Sequence, residues 1–172
     1  MKFTYDSDDE PPRIPLSPIQ RAEQRQWQYA TKDPIACAAV AEALGRSCRR
    51  GRTITYAELA RGVTFRLPEI NGGRPYVIDI LNQTQVSKRD QHILDDFLCF
   101  LSLQSMKGAS ILASANVFDP NDSRGASNGF FETARLLGVL TEVRGDMGEL
   151  MFWKRELQKV HDWFSELPPA MT

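Results

Sequence analysis

Apolar side chains recur at helical spacing in several stretches of this chain. Ile35, Ala36, Ala39, Val40, Ala43 and Leu44 fall on one face of a helix that Asp33-Pro34 starts and Gly51 stops. Upstream, Ser17-Pro18 supplies an N-cap and a first helical position, which predicts a polar helix over 18–31 with one narrow stripe of Ile19, Ala22, Trp27 and Ala30. Thr55-Tyr56-Ala57-Glu58 is a capping box opening a short helix over 56–62. Ser87 caps the best core helix in the chain, 88–107, where Ile93, Leu94, Phe97, Leu98, Leu101 and Met106 form a broad stripe that Gly108 ends. A short helix over 130–137 is closed by Gly138. A last one over 150–167 carries Phe152, Trp153, Leu157, Val160, Trp163 and Phe164 and stops at Pro168-Pro169.

Alternation at period two predicts strands elsewhere. Ile111, Ala113, Ala115 and Val117 share one face over 111–118, and 139–143 alternates as a second strand. Residues 53–55 are a candidate third strand, and 76–80 a further short one. The segment 63–86 is broken by Pro68, Asn71-Gly72-Gly73 and Pro75 and yields no clear assignment. The expected fold is α+β: five or six helices around a small antiparallel sheet of 111–118 and 139–143, winged-helix-like in its element order. The two longest helices would cover that sheet. Residues 1–16, with Asp6, Asp8, Asp9, Glu10, Pro11, Pro12 and Pro15, are expected to be a flexible acidic arm, and 17–172 a single globular domain.

Composition narrows the chemistry. The 172 residues carry a formal charge of −1, with 42% hydrophobic and 25% charged residues, ordinary values for a globular protein that needs no metal or disulfide staple. The three cysteines, Cys37, Cys48 and Cys99, form no C-x-x-C and favour a reducing compartment; Cys37 and Cys99 lie in apolar helical patterns and read as buried. The polar, acidic start offers no leader, and no run approaches the roughly 20 apolar residues of a membrane span, so the expectation is a cytoplasmic protein without a membrane partner. His92 and His161 have no second ligand at metal spacing. Asp95-Asp96 point in different directions on their helix. The loop from Asp119 imitates a calcium loop and then fails, with Arg124 at the turn-glycine position and Phe130 at the position of the bidentate Glu. Gly72-Gly73 lacks the rest of a phosphate loop. No metal, no cofactor and no enzymatic activity are expected. Were catalysis assembled from distant residues, Tyr56, Glu58 and Arg74 would be the place to look, against the plainer reading of Glu58 as a capping residue.

Charge changes the picture. Between Arg46 and Arg74 the chain places seven arginines against two glutamates, on a protein that is otherwise nearly neutral. Arg46, Arg49 and Arg50 also complement a helix C-terminus, but Arg52, Arg61, Arg66 and Arg74 lie outside that helix. A local basic face calls for an acidic partner. The primary expectation is a non-enzymatic nucleic-acid-binding or regulatory protein in which Arg49, Arg50, Arg52, Arg61 and Arg66 meet phosphates. Arg74, Lys88, Arg89 and Arg124 extend the set, and the polar loop Asn121, Ser123, Arg124, Ser127, Asn128 acts as a wing. The alternative is a protein-interaction module, such as an inhibitor, immunity protein or phage-encoded adaptor. It would bind an acidic protein surface, with Trp27, Tyr56, Phe65 and Tyr76 as anchors if exposed.

The segment Ile54-Thr55-Tyr56-Ala57-Glu58-Leu59-Ala60 resembles the opening of the first helix in many bacterial winged-helix domains, and a similar opening in the DNA-binding half of alkyltransferase-like proteins. Together with Gly129-Phe130-Phe131 downstream, it looks like a group of small bacterial and phage proteins. The resemblance implies a winged helix and a DNA-binding, regulatory role. Two departures stand against it. About 25 residues separate the short helix from the next, where a helix-turn-helix allows a few. That next helix is apolar, so only Lys88, Arg89, Gln91 and His92 at its start reach toward DNA. The Pro-Cys-His-Arg site of alkyltransferases is absent, and no alkyl transfer is inferred.

Overall fold

The helix-start signals are occupied as their chemistry dictates. In the computed structural model, which describes residues 12–142 and 145–168, the Ser17 hydroxyl accepts from the Gln20 N–H and opens α1 (Pro18–Glu23). The expected acidic arm lies outside the described residues up to Pro11, and residues 12–16 are exposed. The first helix stops well short of Thr31. The N–H groups of Tyr29 and Ala30 are instead both taken, at 2.9 Å, by one oxygen of the buried Asp96, which turns Trp27, Tyr29 and Ala30 into the core as an irregular segment. Asp33 caps α2 (Pro34–Arg49) through Ala36 N–H at 3.0 Å. Its other oxygen accepts from Arg66 N–H at 2.6 Å, so one carboxylate starts a helix and fastens a distant strand end.

The Thr55 capping box opens α3 (Tyr56–Ala60), and Ser87 opens α4 (Lys88–Ala109), which ends at Ser110 in the left-handed region with φ 56°. Then follow α5 (Asn128–Leu136) and α6 (Gly145–Glu166). The core collects on α4: Ile93, Leu94, Phe97, Leu98 and Leu103 are buried, and Phe97 meets Phe65 edge-on at 5.5 Å. Phe152, Trp153 and Val160 close it from α6, and all three cysteines are free and buried.

The architecture is α+β, with a small antiparallel sheet in a different place from the expected one. Its two strands are β1 (Thr64–Phe65), in a stretch without a clear assignment, and β2 (Tyr76–Val77), inside the candidate strand 76–80, with Thr64 opposite Val77. The expected strand over 111–118 is a 3-10 turn, Ala113–Asn116, followed by a single parallel bridge between Val117 and Ile54. The reason is that both of its faces are covered. Trp153 Nε1 donates to the Ala115 carbonyl at 2.9 Å, and the Ser102 hydroxyl takes the Ser114 N–H at 3.0 Å, so apolar and polar side chains alike are buried. Residues 53–55 supply only the Ile54 partner of that bridge. The expected strand 139–143 is likewise absent as far as Glu142. Val139 and Leu140 donate to the Ala134 carbonyl and finish α5 as a turn, while Val143 lies outside the described residues.

Gly125 is required by close packing. Its φ is +82°, and a Cβ there would stand 2.2 Å from the Trp153 ring. Replacing it with alanine is expected to cost roughly 2–4 kcal/mol in urea unfolding, from backbone strain and overpacking together. A loss under about 1 kcal/mol would show that the 119–127 loop gives way without disturbing Trp153.

Candidate functional site

Three of the seven arginines line one small pocket. Arg46, Arg50 and Arg52, with Thr53, Ile54 and Glu58, line about 280 Å³ between the C-terminus of α2 and the start of α3. The local fold follows from the sequence. Arg50 is the C-cap of α2, Gly51 takes φ 62° to reverse the chain, and the Arg52 carbonyl accepts from Ser47 Oγ at 2.5 Å and Asn116 Nδ2 at 3.0 Å. Asn116 is fully buried, and its Oδ1 is bonded to His161 Nε2 at 2.7 Å. The turn is therefore locked from α2, from the 3-10 turn and from α6. Arg46 lies 3.9 Å from Glu42, with both side chains well exposed, while Arg50 and Arg52 make no side-chain ion pair or hydrogen bond among the described residues.

The other expected contacts are scattered. Arg49, Arg61, Arg66 and Arg74 are exposed, and Arg74 donates to the Asn71 carbonyl at 3.3 Å. Lys88 and Arg89 sit at the start of α4, Arg89 over the Tyr76 ring at 5.4 Å. Arg124 differs from all of these. Only 16% of its side chain is exposed; it bonds Asp122 at 2.7 Å, Glu149 at 2.6 Å and Asn128 at 2.7 Å, and covers the Phe131 ring. Those carboxylates push its pKa up, and it holds theirs below the usual range. It is a clasp between the 119–127 loop, α5 and α6. Trp27, Tyr56 and Phe65 are buried and Tyr76 is half-buried, so three of the four aromatic anchors are not on the surface. Tyr56, Glu58 and Arg74 do not share a site: Glu58 Oε2 accepts from Thr55 N–H at 2.8 Å in its capping box.

Tyr56 goes elsewhere. Its hydroxyl donates to Asp95 Oδ1 at 2.5 Å and meets Ser127 Oγ at 2.6 Å, which joins α3, α4 and the start of α5. With the Tyr56 proton directed at the carboxylate, the Ser127 hydroxyl is the donor in the second bond. Ser127 is the N-cap of α5 but makes no capping bond, and the N–H groups of Asn128 and Gly129 make none either among the described residues. Gly129 lets Asp95 approach this helix end, since a Cβ there would lie 2.4 Å from the carboxylate. Burial raises Asp95 to about 6, against the Tyr56 hydrogen bond and the nearby His92, and burial also raises Tyr56 well above its usual value. Two clefts flank the chain. One of about 290 Å³ is lined by His92, Asp95, Asp96 and Glu132; another of about 520 Å³ is lined by Tyr56, Lys88, Gln91, Asp119, Ser127 and Asn128.

Sequence reasoning placed Ser127 in a polar loop and set Asp95 aside, and it did not join either to Tyr56. It saw that Asp95 and Asp96 diverge, and they do, to Tyr56 and to the Tyr29–Ala30 backbone. The available signal was a carboxylate inside an apolar helical stripe. Among the described residues no group of three His, Cys, Asp or Glu side chains is placed to hold a metal, and no helix is long and apolar enough to cross a membrane.

The raised Asp95 value sets a pH dependence of stability. The folded state holds this proton up to about pH 6, and an unfolded chain releases it near ~3.9, so stability falls as pH rises through that window. Asp95→Asn lacks the effect. The stability of the variant relative to the parent is therefore expected to rise by about 2 kcal/mol between pH 4 and pH 7.5 in urea titrations. A difference independent of pH would mean that Asp95 titrates normally.

Comparison with protein-family models, with curated proteins and with solved structures yields no match, so function has to be read from this geometry.

Proposed function

We propose that the protein binds nucleic acid in a regulatory role, with a backbone phosphate seated among Arg46, Arg50 and Arg52. The observation that carries this reading is that three arginines line one pocket, with Arg50 and Arg52 free of side-chain partners among the described residues and the turn that carries them held by backbone bonds. Planar guanidinium forks match phosphate oxygens, and a turn already fixed before binding loses little entropy on contact. The one carboxylate of the pocket, Glu58, is committed to its capping box, which favours binding over turnover at this place. Exposed Arg49, Arg61, Arg66 and Arg74, with Lys88 and Arg89, supply further sequence-independent attraction. Arg124 leaves the set because its guanidinium is saturated by protein partners. The winged-helix likeness of residues 54–60 supports the same reading, since α3 begins at the pocket's edge. An acidic protein surface is the weaker partner, because Trp27, Tyr56 and Phe65 are buried.

Anisotropy titration of a labelled duplex is expected to show binding at low salt that weakens steeply as salt rises. Arg50→Ala or Arg52→Ala should lower the slope of log K against log salt by about one unit, and the pair by about two. No binding at low salt, or an unchanged slope in the double variant, would remove the proposal.

A further inference from the structure

The hydrogen-bonded chain from Ser127 through Tyr56 to Asp95 is the most concentrated chemistry in the molecule, and nothing in the arginine pocket uses it. We infer that Ser127 is the nucleophile of a separate catalytic site, with the Tyr56 hydroxyl and Asp95 as its proton relay and a small polar ester as its substrate in the 520 Å³ cleft.

Four observations carry this. The first is the order of the chain. Ser127 and Tyr56 line the larger cleft and Asp95 lines the smaller one, so a proton taken from the serine crosses the wall between two openings. The second is what Ser127 forgoes. A serine at an N-cap ordinarily accepts from its own helix, a bond worth about 1 kcal/mol, and here the hydroxyl turns to Tyr56 instead. The third is the first turn of α5. Among the described residues the N–H groups of Asn128 and Gly129 take no acceptor, and as the donors that follow Ser127 in the chain they suit a developing oxyanion. The fourth is support around the residue. Arg124 holds Asn128 Oδ1 at 2.7 Å, and Gly125 closes its loop by accepting from Asp119 N–H at 3.0 Å, which fixes the backbone on both sides of Ser127.

The chemistry balances with water as the only co-reactant. Ser127 Oγ bonds to the ester carbonyl carbon as its proton moves to the Tyr56 oxygen and the Tyr56 proton moves to Asp95. The tetrahedral oxyanion lies against the Asn128 and Gly129 N–H groups. The carbon–oxygen bond to the alcohol breaks, and the proton returns from Asp95 through Tyr56 to the departing oxygen. Water repeats the sequence on the acyl-serine, releasing the carboxylic acid and restoring Ser127. Asp95, raised to about 6, has a basicity close to that of the imidazole which usually fills this role at about 6.5. Ser127 itself is only 4% exposed, so the cleft admits a small acyl group and excludes a bulky one. Lys88, Gln91 and Asn121 along the walls favour a substrate with polar substituents.

The test uses the full chain with a small fluorophosphonate ester and with p-nitrophenyl acetate. The expected result is a single covalent adduct, mapped to Ser127 by peptide mass spectrometry. Acetate-ester hydrolysis should show a rate that rises with pH through a midpoint near 6. Ser127→Ala should abolish the adduct and lower hydrolysis by roughly 100-fold or more. Tyr56→Phe, which keeps the ring in the core, should lower it at least ~10-fold. Absence of an adduct at Ser127 in the unaltered protein overturns the inference, as does hydrolysis that survives in Ser127→Ala. If that variant fails to fold, adduct mapping and the pH profile of the parent decide the question: an adduct at another residue, or a flat profile, counts against it.

Discussion

A charge or amide taken into this core must find its donors there, and that constraint sets where the elements go. Three aspartates on α4 illustrate it. Asp96 takes two backbone N–H groups from the segment after α1, Asp95 takes the Tyr56 hydroxyl from α3, and Asp90 takes the Tyr76 hydroxyl from β2 at 2.6 Å. Among the described residues no buried side-chain nitrogen or oxygen lacks a partner. A lost bond in such a place costs about 1–3 kcal/mol, while the same bond on the surface would matter little. The small sheet, two residues to a strand, could not hold α4 in place by itself. The polar ties supply direction, and the apolar stripe of α4 supplies the driving force.

The same constraint prepares both candidate sites. In the arginine pocket, Asn116 is the hidden part. It carries no charge and touches no solvent, yet it joins the Arg52 carbonyl to His161 on α6 and so fixes where the guanidinium groups begin. Beside Ser127 the corresponding part is Arg124. A cation that binds Asp122, Glu149 and Asn128 at once is a poor ligand for phosphate and a good fastener for a loop. The arginines therefore differ by what surrounds them: among the described residues Arg50 and Arg52 at the α2 turn have no side-chain partner, and Arg124 at the α5 start is saturated.

Most helices were legible from the chain because their start signals are local. Ser17, Asp33, Thr55 and Ser87 each cap the helix that follows, a matter of three residues. The sheet was legible only in part: 76–80 was a candidate strand and holds β2, but β1 and the pairing left no sign in the chain. A two-residue strand has no period to detect, and the alternation over 111–118 comes from a segment packed on both sides, where small residues repeat for reasons of space. The premature end of α1 was equally hidden, since the acceptor that draws Tyr29 and Ala30 away from the helix lies on α4. Charge density at Arg46–Arg74 could be read directly. The Tyr56 chain could not, because its partners stand 39 and 71 residues away, and the capping box around Tyr56 offered a sufficient local reason for the motif.

The bridge between Ile54 and Val117 lies between the two polar regions in the chain. Ile54 N–H donates to the Asn116 carbonyl at 3.0 Å, and Phe118 N–H donates to the Ile54 carbonyl at 2.8 Å. Thr53 and Ile54 line the arginine pocket on one side of this bridge, and Tyr56 and Asp119 line the larger cleft on the other. Asn116, which locks the pocket, and Asp119, which begins the loop leading to Ser127, sit either side of Val117. Two residues of paired backbone thus set the position of both polar regions. Ile54 and Val117 are themselves buried, so this short pairing is part of the close-packed core on which both regions are built.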